Sequence, residues 1–552
     1  MHSSIVRPLV DLSAHYDVVV VGSGYGGGVA ASRFARAGKR VAVLERGKEF
    51  VTGAFPSRLP ELRRELSVTG GRFRMGDGRG LYDVRLGDDI HVLAGCGVGG
   101  GSLVNAGVAL RPDDRVFADA AWPGQIRQDG LLNEGFARAR AWLRPAADPA
   151  ATRQTKFAAL DHASRALGTP PTPAEVVISF DETTNVAGIT QPACTRCGDC
   201  CGGCNVGAKN TVALTYLPDA VAHGAEIYAS MRVSHVSRDE GQWQVHIDHD
   251  PRVSRDPDAP EIVTADRVVI AAGALGSTEI LLRSKERGLP LSDCVGDGFS
   301  ANGDIIAFGY GADRPVNAIG IGHPPRDGIA PVGAAVSGQI VVRDGARLSH
   351  EMYVQEGVLP SALAPLLPVF FVPGGKLLGA AQTLLQGVYN GPLSRLHTFF
   401  VVSHDSGTGS MRLVDDRLRI DWPGASDEPV NARVDAALKA LVEENGGEYI
   451  KSPLAATSVG SKPATAHPLG GCRMGHDRTT GVVDHAGRVF DGASGASDTG
   501  THPGLHVLDG SIIPRSLGCN PLLTITALAE RAMVHLAADA GIRFDAEARH
   551  AA

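Results

Sequence analysis

Apolar residues in this chain gather in short runs that glycine interrupts, and the first of them sets the fold. Asp17 to Val21 is continuously β-branched and passes without a spacer into glycine, which predicts a buried strand ending in a tight turn. Small and apolar residues from Gly28 to Ala37 suit a helix that Gly38 ends, and Arg40 to Leu44 is a second buried strand. The same strand, glycine turn and helix recur at Val268 to Ser284. Further strands are predicted at Ala225 to Val233, Gln242 to Ile247, Arg267 to Ile270, Gly338 to Val342 and His397 to Val402, and helices near Leu131 to Leu143 and Lys156 to Leu167. Residues 51–90 show little periodicity and read as loop and short helix. The pattern predicts an α/β protein: a Rossmann-like nucleotide domain of discontinuous segments, with a sheet-based substrate domain inserted between them.

Glycine spacing turns this pattern into chemistry. Gly22, Gly24 and Gly27 stand at G-x-G-x-x-G between strand and helix, with Tyr25 and Gly26 inside the turn. Gly22 permits the turn, Gly24 lets a pyrophosphate approach the backbone, and Gly27 lets helix and strand pack closely. Unpaired N–H groups at the helix N-terminus then face the anion. Glu45 ends the second strand roughly 20 residues past the glycines, where an acid accepts from ribose hydroxyls. A second glycine-rich surface is expected at His91 to Leu110, since five glycines fall within Gly95 to Gly101. Ser102 and Asn105 offer polar tips beside it.

Totals narrow the class. The 552 residues allow more than one core, and 43% hydrophobic with 20% charged residues is ordinary for a globular protein. A formal charge of −7 provides no basic field, so no nucleic-acid partner is expected. No early stretch has the flank, apolar run and cleavage site of an export signal, which makes a cytoplasmic enzyme the expectation. The run Gly357 to Val388 is almost free of charge, and reads as buried core, as an apolar lid, or as a patch peripheral to a membrane.

Cys194, Cys197, Cys200 and Cys204 stand at C-x2-C-x2-C-x3-C, the spacing of bacterial ferredoxins, with Asn205 in place of the usual proline. An iron–sulfur cluster, a zinc ion, a disulfide and free structural thiols all stay open for this run.

The stretch G-x-G-x-G-G-G-S-x-x-N, following the N-terminal fingerprint, resembles the glucose-methanol-choline (GMC) oxidoreductase family, nearest to its bacterial cholesterol-oxidase-like members. The stretches AHPLGGCRMG (466–475) and GLHVLDGSIIPRSLGCNPLLTITALAE (504–530) resemble the same family. The resemblance implies FAD, held by Gly22, Gly24, Tyr25, Gly26, Gly27, Glu45, Gly97, Gly100, Gly101, Ser102, Asn105, Ala106, Gly107, Val233, Gly273, Asp509, Gly510, Asn520, Pro521 and Leu522. It divides the chain into FAD-binding parts at 1–120, 205–300 and 463–552 and substrate-binding parts at 121–204 and 301–462. His467 and Asn520 would face the flavin N5 edge, and Glu356, just ahead of the apolar run, would be a further base or proton shuttle.

The expected activity is oxidation of the hydroxyl of a bulky apolar alcohol, a sterol 3-hydroxyl first, with O2 or an electron carrier as acceptor. A dehydrogenase passing electrons to an iron–sulfur cluster, and a non-redox FAD-containing lyase of the hydroxynitrile lyase type, are the alternatives. Hydride leaves a carbinol carbon more easily as the hydroxyl proton departs, so a base and an alkoxide donor are both required.

Overall fold

The computed structural model describes residues 4–71, 73–248, 260–371, 387–452 and 462–547. Strand β1 (His15–Val21), helix α1 (Tyr25–Arg36) and strand β2 (Val41–Leu44) open the chain as the apolar pattern predicts. Both strands lie in an eight-stranded sheet. Its parallel centre takes Glu226–Tyr228, β2, β1, Ile262–Ile270 and Thr501–Val507, so strands from separated stretches of sequence become neighbours. Every residue from Val18 to Val21 is buried, as expected of a parallel strand covered on both faces.

The single strand expected at Ala225 to Val233 is two, Glu226–Tyr228 and Val233–Asp239. Ser230 between them has φ of 63°, a left-handed residue that breaks the run and turns the chain along the cleft. Residues 51–90 hold more than loop and the short helix Leu59–Arg64. Leu66–Thr69, Arg74–Met75 and Tyr82–Leu86 join His91–Gly95 and Ala464–Thr465 in a five-stranded sheet. Asp83 turns inward there because Arg46 and Arg85 pair with it, so polar residues occupy positions that an apolar alternation would have revealed.

The helix Leu131–Leu143 forms where the periodicity places it, although its buried face packs into the nucleotide-side core rather than a substrate part. Trp142 stacks on Tyr216 at 4.7 Å, with the Arg33 guanidinium 4.5 Å over its ring. Arg33 is itself neutralised by Glu530 from the last long helix, Leu522–Asp539. A six-stranded sheet, containing Ile305–Tyr310, Gly338–Val342, Met352–Gly357 and His397–Ser403, forms the second layer. One of its faces carries Ile340, Val354, Phe399 and Val401 against the helix Pro429–Glu444.

Of the charge-free run after Glu356, residues 372–386 lie outside the described residues, and the lid or membrane patch expected there with them. Among the described residues, no helix is long and apolar enough to cross a membrane.

His397 is buried against Phe399 with neither ring nitrogen hydrogen-bonded among the described residues. Burial, reinforced by Lys156, pushes it down to about 3, and burial likewise takes His404 and His506 to about 4. An unfolded chain binds these protons first, so stability falls as pH drops below about 6.5 toward those values, by ~1.4 kcal/mol per unit of separation. Thermal unfolding midpoints should decline over that acid range, and His397→Leu should make the decline shallower.

Candidate active site

Two sheets and the glycine turns enclose a long cleft. At one end β1 stops at Gly22, whose φ of 97° makes the turn, and Gly24 follows with no atom within 4 Å of where a Cβ would stand. The backbone is therefore open to an anion at Gly24. A Cβ on Gly26 would lie 1.3 Å from the Leu508 carbonyl oxygen, so α1 seats directly on the turn that carries Asp509. Gly27 does what its place predicts, lying against Gly22 and Ala271.

Cleft walls take most of the residues expected to hold the nucleotide. Gly22, Gly24, Tyr25, Gly26 and Glu45 line it from the first βαβ unit, and Gly100, Gly101, Asn105, Ala106 and Gly107 from the glycine-rich loop. Val233, Gly273, Asp509, Gly510, Asn520, Pro521 and Leu522 complete the wall. Gly97 and Ser102 stand behind it: the Ser102 hydroxyl donates to the Gly99 carbonyl (2.6 Å) and accepts from the Val212 N–H, shaping the loop from within.

Glu45 accepts from Ser23 N–H (3.1 Å) and hydroxyl (2.6 Å) and from Gly47 N–H (2.8 Å), which fixes it at the end of β2. Asp509 ties the second turn, accepting from Gly273 N–H (2.8 Å) and from the Ser277 and Ser511 hydroxyls. Burial pushes its carboxyl up, and those donors pull it back.

These features fit FAD. A pyrophosphate would find the open backbone at Gly24, an acid ends β2, and Asn105, whose Nδ2 donates to Tyr25, leaves its buried Oδ1 without a partner among the described residues. Sequence reasoning missed the charged wall nearby. Glu279 is buried, yet Arg85, Arg283 and Arg232 overcome that burial and hold it to about 2. Asp83 is held low in the same way by Arg85 and Arg46. Each of these two buried carboxylates is thus paired with arginine at the cleft wall.

At the other end the structure brings His467 and Asn520 together, with Asn520 Nδ2 3.5 Å from His467 Nε2. Each side chain has its remaining polar atom engaged. His467 Nδ1 donates to Asp304 Oδ1 (2.8 Å), so that in the neutral ring Nε2 faces the cleft as an acceptor. Asp304 Oδ2 accepts from the Thr465 hydroxyl and the Ala466 and His467 N–H groups, fixing the loop that carries the imidazole. Gln355 Nε2 donates to Asn520 Oδ1 (2.7 Å), so the Asn520 amide presents its N–H2 outward.

One short segment serves both loops. Asn302 donates to the Cys519 carbonyl (2.8 Å) and accepts from the Leu517 and Gly518 N–H groups, setting the turn before Asn520. Asp304 stands two residues further on. Neither residue sits in a motif, and only their contacts, 163 residues away for Asp304 and 217 for Asn302, reveal them.

Glu356 is not part of this group. On the strand Met352–Gly357 successive side chains alternate in face, and the register that turns Gln355 onto Asn520 turns Glu356 away. Its carboxylate is fully buried, 2.8 Å from Lys156 Nζ and 3.2 Å from the Ser337 N–H. Burial pushes it up and Lys156 opposes that. Glu356→Gln should cost about 3–5 kcal/mol by stranding the Lys156 charge. The flavin-reduction rate of the folded holoenzyme should hold within a few-fold, and a large loss of rate at unchanged stability would restore Glu356 to the chemistry.

The description "GMC oxidoreductase" matches residues 16–299 and again residues 431–529. A cholesterol oxidase of Mycobacterium tuberculosis is 28% identical, over 94% of this chain and 90% of that protein. A cholesterol oxidase of Acinetobacter baumannii is 25% identical over 95% and 94%. Among solved structures, pyridoxine 4-oxidase from Mesorbium loti superposes with a TM-score of 0.61 at 19% identity, covering 94% of this chain and 98% of its own.

Proposed function

Because the chain belongs to the GMC oxidoreductase family and FAD is its cofactor, we propose that it oxidises the secondary hydroxyl of a bulky apolar alcohol, a sterol 3-hydroxyl first. The carrying observation is the pair of adjacent polar tips, His467 Nε2 and the Asn520 N–H2 3.5 Å from it, with Asp304 and Gln355 fixing their roles.

An alcohol hydroxyl between them would give its proton to His467 while Asn520 steadies the developing alkoxide. FAD, when bound, would supply the two-electron acceptor for the hydride of the carbinol carbon. The wall beside Asn520 suits an apolar skeleton, since Phe400 belongs to the apolar cluster around Val108 and Ala106. The sterol assignment draws on the cholesterol oxidases among the relatives.

Gln355 sharpens the product. An amide cannot carry a proton between carbons, so a substrate with a ring double bond would leave as the ketone with that bond unmoved. Anaerobic mixing of the holoenzyme with sterols, terpenoid alcohols, long-chain alcohols and sugars tests the reading. The flavin band should bleach with the sterols and yield the unshifted ketone. Bleaching by sugars alone overturns the substrate, and turnover without bleaching overturns the redox chemistry in favour of a lyase.

A further inference from the structure

The cysteine run is the one sequence motif that the active site leaves unused. Its loop is over-determined in a way that free thiols do not require. Arg196 holds φ of 57°, and Gly198 and Gly203 have φ of 81° and 96°. The Arg196 carbonyl accepts from the Val332 and Gly333 N–H groups, Cys197 from Ile321, and the Asp199 carboxylate from the Gly322 and Ser361 N–H groups. Backbone strain held by so many contacts is a mark of a built site.

Among the described residues no three of these sulfurs lie within 4.8 Å of one another. All four cysteines of the spacing are free thiols, which removes the disulfide reading. Cys200 belongs to one buried apolar cluster with Cys194 and Cys204 packed against it, and Cys197 packs against the cluster of Ile321, Val332 and Val358 beside them. Yet among the described residues the only three metal-ligating atoms within 4.8 Å of one another belong to Asp129, His485 and His535. With zinc–sulfur bonds of about 2.3 Å, thiolates on one zinc ion would stand roughly 4 Å apart, so the run does not fit zinc. A polynuclear cluster holds its thiolates farther apart. Two backbone N–H groups already point at sulfur, Arg196 to Cys194 (3.3 Å) and Ala335 to Cys200 (3.4 Å), the contacts that tune iron–sulfur centres.

Lys209 supplies the independent sign. It is fully buried, and its ammonium donates to the carbonyls of Leu103 (3.2 Å), Asn105 (2.5 Å) and Cys200 (3.2 Å), with no carboxylate on it among the described residues. A buried ammonium held by neutral carbonyls alone is costly and calls for an anion nearby. A cluster ligated by four thiolates carries that net negative charge.

We propose that Cys194, Cys197, Cys200 and Cys204 ligate a [4Fe–4S] cluster whose charge Lys209 balances, directly behind the glycine-rich loop of the FAD cleft. Cys201 falls outside the C-x2-C-x2-C-x3-C spacing, and the Tyr82 hydroxyl donates to its carbonyl (2.7 Å).

Anaerobically purified protein should contain about four iron and four acid-labile sulfide per FAD, with an electron paramagnetic resonance signal after dithionite reduction. Cys200→Ser and Cys204→Ser should lose most of the iron and keep FAD, whereas Cys201→Ser should keep both. Protein with a full complement of FAD and neither iron nor sulfide overturns the proposal without touching the FAD reading. Stoichiometric zinc, or iron that Cys200→Ser retains, overturns it as well.

Discussion

His467→Ala should leave FAD bound and slow anaerobic flavin reduction by ~10²–10⁴-fold, the usual contribution of a positioned proton acceptor. The turns at Gly22, Gly24 and Gly273 and Asn105, all expected to hold FAD, line the cleft, whereas the imidazole's hydrogen bonds go to Asp304 and Asn520. The base proposed above is Nε2, because Nδ1 is committed to Asp304. Added imidazole should restore part of the rate in His467→Ala, since the vacated space opens onto the cleft. A variant that reduces flavin at the parent rate would remove His467 from the chemistry.

Asp304→Asn should be nearly as damaging while preserving shape. Asp304 Oδ2 must accept from the Thr465 hydroxyl and from the Ala466 and His467 N–H groups, so asparagine would keep its oxygen there and turn its N–H2 to the imidazole. Nδ1 would then accept, and the ring proton would move to Nε2, where it blocks the base. The reduction rate should fall by about 10²-fold or more, as when a histidine is held in the wrong tautomer. The double variant His467→Ala with Asp304→Asn should be no slower than His467→Ala alone, because the carboxylate acts only through the ring. Additive losses would give Asp304 a separate role.

What could be read ahead of the structure was local chemistry. Gly22 to Gly27 and Gly95 to Gly101 announce backbone that something must approach, and the four-cysteine spacing announces itself in the same way. Asp304 and Gln355 could not be found by that route, because each acts across the fold on a partner far along the chain. Glu356 shows how narrow the margin is. A displacement of one residue along a strand exchanges its faces, and no periodicity in YVQEGVLP says which of Gln355 and Glu356 meets Asn520. The strands within residues 51–90 escaped for a related reason, since buried Asp83 with its arginine partners disguises an inward position as an outward one.

The segment from Ser300 to Asp304 has a mechanical consequence. Asn302 clamps the turn before Asn520, Asp304 clamps the loop of His467, and Ser300 exchanges two backbone hydrogen bonds with Leu469 just beyond that imidazole. The gap between imidazole and carboxamide is therefore a dimension of one five-residue bracket. Were the strand Ile305–Tyr310 to shift, both tips would move with the bracket and the gap between them would keep its width.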